Sequence, residues 1–118
     1  MYIAGFVIPV PENNRDRYRT WAAKSAGLLQ GLGCLEIVEA WEDNVPDGQH
    51  TDFRRAVAAH PDEKIVFSWQ IWPDRATVDA AEATMRSDPR FDLPDDIPFD
   101  PKRLIFGSFD PVLVTGRG

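Results

Sequence analysis

Few side chains in this sequence could do chemistry, and Glu39 is the first of them. Strand side chains alternate, so in the run from Cys34 to Glu42 it shares a face with Leu35, Ile37 and Trp41. A carboxylate among such neighbours has a raised pKa unless a cation pairs with it, and Arg103 and Arg55 are the candidate cations. A structural salt bridge is preferred here over a general base. Glu36 points to the opposite face, so the two glutamates do not act as one carboxylate pair. Ser68 and Gln70 lie on one face of a later strand, where a covered hydroxyl and amide need partners in the protein, in ordered water or on a ligand. His50 and Asp52 would form an acid–base pair if their loop folded over a pocket. The candidate pocket is therefore Glu39, Ser68, Gln70, His50 and Arg103, with no catalytic role assigned to any of them.

Other chemistries are weakly signalled. His50 and His60 stand apart from any further Cys or His and read as surface residues rather than metal ligands. Cys34 is the only cysteine, which rules out an internal disulfide, fits a reducing, cytoplasmic setting and suits a small strand residue better than a nucleophile. Gly27, Gly31 and Gly33 fall at the C-terminal end of a helix, where the dipole repels anions, so they are not a phosphate loop. No Ser-His-Asp order or haem-attachment motif is visible, and no cofactor is implied.

The elements that must position these residues follow from hydrophobic period. Tyr2 to Ile8 is apolar apart from Gly5, and Pro9 and Pro11 are expected to close that strand. Tyr18, Trp21, Ala22, Ser25, Leu28, Leu29 and Leu32 then recur at helical spacing, with Asn13 or Asn14 as cap and Gly31 or Gly33 as stop. Cys34 to Glu42 is the second strand. Residues 43 to 62 form a long connection with a helical turn at Phe53 to Ala59, and connections of that length are often functional or pack across another surface. Lys64 to Trp72 is the third strand. Asp74 caps a second helix with Val78, Ala81 and Met85 inward, ending at Asp88-Pro89. Arg103 to Val114 supplies the last strand.

Composition narrows the partners. The 118 residues suit one domain, 1–118, with an ordinary core. Nineteen acidic against 13 basic residues give a charge of −6, which repels a phosphate backbone. Phe67 and Trp69 superficially suit an RNA-recognition strand, but the basic-glycine-aromatic start is missing, so no nucleic-acid partner is expected. The first residues lack the positive segment and length of a signal peptide or membrane span.

The βαββαβ order predicts an α+β, ferredoxin-like fold: a four-stranded antiparallel sheet with both helices on one face. The other face is then bare. In the third strand Ile65, Phe67, Trp69 and Ile71 make one wholly apolar face, expected to meet the helices. The mixed face of Val66, Ser68, Gln70 and Trp72 is expected to line the seam of a homodimer, two sheets pairing as a dimeric α+β barrel.

The sequence also resembles the YbaA-like family, a domain of unknown function (1428). The resemblance spans nearly the whole chain. It rests on Gly5-Phe6-Val7, Val45-Pro46-Asp47-Gly48, Thr51-Asp52-Phe53, Val66-Phe67-Ser68-Trp69, Asp88-Pro89-Arg90, Pro98-Phe99-Asp100 before Lys102-Arg103, then Gly107 and Phe109. The family pattern commonly has Asp at the position of Ala4 and Gly at that of Ser108. It implies the dimeric α+β barrel superfamily, whose relatives include cofactor-independent monooxygenases, haem-degrading and haem-dependent enzymes and small proteins of unassigned role. It implies no activity. The expectation is a small homodimeric protein, non-catalytic or binding a small ligand. The alternative is a cofactor-independent, monooxygenase-like enzyme acting on a small organic substrate in the barrel cavity.

Overall fold

A computed structural model describes residues 1–117. The strands are β1 (Tyr2–Pro11), β2 (Glu36–Trp41), β3 (Glu63–Trp72) and β4 (Ile105–Phe109), and the helices are α1 (Arg15–Gly31), the one-turn α2 (Phe53–Ala56) and α3 (Arg75–Ser87). The sheet order is β2-β3-β1-β4, antiparallel throughout. This is the ferredoxin-like α+β arrangement, in which each long helix crosses over one intervening strand.

Local signals explain the helices. Asp74 accepts from the Thr77 backbone N–H at 2.8 Å and so starts α3, whose Val78 and Ala81 are buried. Gly33, at φ 107°, takes the left-handed turn after α1 that other residues adopt only at a cost. Asn14 does not cap α1 through its side chain, which instead donates to the Pro98 carbonyl at 3.0 Å. The α1 stripe nevertheless faces the sheet, with Tyr18 and Ala22 buried.

Two strand boundaries differ from expectation. Pro9 and Pro11 do not close β1, which stays in register with β3 as far as Pro11↔Glu63. β4 pairs only with Ile3–Val7, so beyond Val7 that edge of β1 has no β4 ladder for a missing N–H to break. β4 itself ends at Phe109 rather than Val114, because Pro111 cannot extend a ladder and the segment turns away. Arg117 then donates to Glu36 at 3.2 Å, so the tail passes the end of the sheet and returns to β2.

The face that meets the helices is the reverse of the expected one. Val66 joins Ile8, Val10, Tyr18, Ala22 and Phe99 in one core cluster, and Trp72 joins Cys34, Val78 and Ala81 in another. Val66, Ser68, Gln70 and Trp72 therefore face α1 and α3. Ile65, Phe67, Trp69 and Ile71 look the other way, in register with Pro9, Val7, Gly5 and Ile3. The count of apolar residues in β3 misleads because the bulk of Trp72, and the partners supplied by β1 and β2, decide which face packs better. Ser68 and Gln70 are thus on the helix-covered face and not, as expected, on the face left open for a second sheet.

Candidate functional site

β2 and β3 pair so that Glu39 stands opposite Ser68, and Ile37 and Trp41 stand opposite Gln70 and Val66. All six side chains face α1. On that helix Tyr18 comes down onto the pair: its hydroxyl donates to both Glu39 carboxylate oxygens at 3.1 Å, while Ser68 donates to Oε1 at 3.0 Å. Ser68 and Tyr18 are buried, whereas Glu39 remains open to water along a cleft of about 400 Å³ between α1 and β2. Glu39 also lines a narrower cavity of about 100 Å³ that includes Ser68 and Gln70.

Crowding by protein raises the Glu39 pKa, and the Ser68 and Tyr18 hydroxyls partly offset that rise. Burial first, and then the neighbouring carboxylate, push the Tyr18 phenol up strongly. No cation pairs with Glu39 among the described residues. The expected salt bridge is therefore absent, and the two cations proposed for it are engaged elsewhere. Arg103 forms a fork with buried Glu63 at 2.7 and 2.6 Å and also bonds Asp100 at 2.9 Å. Arg55 pairs with Asp52 at 3.2 Å. The guanidinium beside Glu63 holds that carboxyl below the usual range.

Of the sequence candidates, the structure brings Glu39, Ser68 and Gln70 together and leaves out His50 and Arg103. Gln70 accepts from the Trp72 indole N–H at 3.0 Å. His50 lies exposed in the β2–β3 connection, and its expected partner Asp52 instead caps α2 and accepts from the Gly48 N–H. Cys34 is buried just before β2, and burial pushes its thiol up, which suits packing rather than attack. Sequence reasoning missed Tyr18 as a chemical group because its helical period marked it only as core. It missed Glu63 because its partner lies 40 residues away. Among the described residues no group of three or more His, Cys, Asp or Glu is placed to hold a metal ion.

The opposite sheet face has no comparable polar group in its middle. Val7, Phe67, Trp69, Ile71 and Phe109 line a broad depression of about 560 Å³ there, with Arg117 of the tail at its margin beside Glu36. The Phe109 ring lies over Gly5 and Gly107, where a Cβ on Gly107 would come within 3.2 Å of it. Phe53 of α2 meets Phe67 edge-on at 6.0 Å between ring centroids, so the long connection folds over one end of this face. In the tail, Val112 and Leu113 are exposed.

No helix among the described residues is long and apolar enough to cross a membrane. The family model for a protein of unknown function, DUF1428, matches residues 1–101. The chain is 47% identical over 113 residues to "Uncharacterized protein YbaA" of Escherichia coli strain K12, covering 95% of this chain and 97% of the relative. The protein of the same name in Shigella flexneri is similar to the same extent. Matching along almost its full length, the chain belongs to the DUF1428 family of proteins of unknown function.

Proposed function

We propose that this protein is a cytoplasmic homodimer, each copy contributing residues 1–118 as one domain, and that it binds a small organic molecule in the cleft above Glu39. The observation that carries the dimer is the open apolar face. Phe67 is 46% and Phe109 58% exposed there, though both belong to strands. A compact monomer of this mass exposes roughly 6,450 Å², whereas this chain exposes 7951 Å². The surplus of about 1,500 Å² exceeds the roughly 800 Å² that each partner of an ordinary stable interface buries. The shape agrees: extents of 38 × 38 × 23 Å describe a slab of one sheet and one helix layer. Two such slabs joined sheet to sheet close a barrel with helices outside.

Glu39 favours the ligand half of this reading. A carboxylate held by two hydroxyls, open to a cleft and without a cation, has acceptor capacity that the fold does not use. The same feature supports the alternative, a cofactor-independent enzyme in which Glu39 takes a proton from a small organic substrate. Native mass spectrometry of the protein purified from its own host tests both halves. The expected result is twice the chain mass with a retained small molecule. A bare monomer would contradict the proposal.

A further inference from the structure

α1 carries three arginines near its start, and they are not equivalent. Arg17 is engaged, bonding Asn14 at 3.3 Å and the Asp96 carbonyl at 2.8 Å. Arg15 and Arg19, four residues apart and so on one side of the helix, form no ion pair among the described residues. Both line the cleft that exposes Glu39. Arg15 lies over the Trp41 ring at 5.6 Å, which holds one guanidinium at the mouth.

The floor is complementary in its donors and acceptors. Oε1 of Glu39 accepts from Tyr18 and Ser68, whereas Oε2 only shares the Tyr18 hydroxyl. Oε2 therefore keeps a lone pair for a donor arriving through the cleft. Between rim and floor the walls are Ile37, Trp41 and Val66. Two cations and one carboxylate, Asp16, at the rim, apolar walls and an acceptor at the floor define a ligand with three parts.

We propose that the α1–β2 cleft binds a small hydroxylated organic acid, its carboxylate held by Arg15 and Arg19, its body against Trp41, and its hydroxyl donating to Glu39. This rests on the ligand-binding half of the function proposed above. Guanidinium groups match the planar carboxylate through paired N–H donors. A volume of about 400 Å³ falls within the range of small-molecule sites.

Isothermal calorimetry on the full chain with three probes tests the class: para-hydroxyphenylpropanoate, phenylpropanoate, and the methyl ester of the first. The hydroxy acid should bind about tenfold or more tightly than either of the others, one charge-assisted contact being lost in each. Replacing both Arg15 and Arg19 by Met should bring the acid to the level of the ester. Glu39→Gln should bring it to the level of the acid lacking the hydroxyl. Circular dichroism and sedimentation must show each variant folded as the parent, and exposed Arg15→Met alone provides a milder version. Equal binding of all three probes, or binding indifferent to these variants, overturns the class while leaving a ligand site in place. Binding of none of them overturns the class too, and retention of a different molecule in native mass spectrometry would then preserve the broader reading.

Discussion

The two faces of the sheet invert the usual relation between polarity and cover. The face under α1 and α3 holds Glu39, Ser68 and Gln70, while the face with no helix over it presents Ile3, Val7, Phe67, Trp69 and Ile105. The helix face carries both core clusters as well, so what sets the other face apart is that side chains such as Phe67 and Phe109 have no cover within the chain. On the covered face the polar groups are fixed by hydrogen bonds, Glu39 by Tyr18 and Ser68, and Gln70 by Trp72. The open one leaves apolar strand side chains without cover in the single chain, which is the observation behind the proposed pairing with a second copy.

The largest effect is expected from making the open face polar. In the proposed homodimer Phe67→Asp would place two carboxylates, one per copy, between the sheets, and should weaken association by on the order of a thousandfold, about 4 kcal/mol. Sedimentation velocity over a dilution series would show the shift, while circular dichroism should show each copy still folded. A mutation that leaves the dimer intact would move the seam elsewhere.

The next effect separates the two glutamates. Glu63→Gln removes the fork on half-buried Arg103, leaving it Asp100 and the Ala58 carbonyl, and should cost about 3 kcal/mol in urea denaturation. Glu39→Gln breaks no ion pair and should change stability by less than about 1 kcal/mol. Similar losses at both sites would make Glu39 another structural charge. Tyr18→Phe removes a hydroxyl donor from Glu39 without opening a cavity and should cost about 1 kcal/mol. It should also raise the Glu39 pKa further, as followed by carboxyl carbon NMR.

The smallest effect is in pH dependence, where the glutamates have opposite signs. The folded pKa of Glu63 is lowered, so its contribution is present above the ordinary glutamate value and is lost as pH falls through the folded one. The pKa of Glu39 is raised, so the folded chain binds that proton more readily and stability declines as pH rises from the ordinary value through the raised one. Denaturation at a series of pH values should show Glu39→Gln flattening that decline and Glu63→Gln flattening the acid limb.

What was legible in the sequence was local. Asp74 caps α3, Val78 and Ala81 turn inward, and the βαββαβ order gives the sheet order, because each rests on spacing within one element. What was not legible depended on register. Counting along β3 favours Ile65, Phe67, Trp69 and Ile71 as the inner face. Only the pairing of Val66 with Ile8 and Trp41 shows that the mixed face has the better-packed neighbours. Glu39 meets Ser68 across 29 residues and Tyr18 across 21. Arg103 reaches back 40 residues to Glu63 instead of to Glu39. Composition alone gives no means of choosing among partners at such separations. The long connection was legible only as a segment that either carries function or packs across another surface, and the structure packs its Phe53 against Phe67.

The most direct test of the central claim is sedimentation equilibrium of the unmodified full chain at micromolar concentration, run beside Phe67→Asp. The parent should fit twice the 13.3 kDa chain mass and the variant a single chain. A parent that sediments as a monomer would contradict the pairing of the open faces.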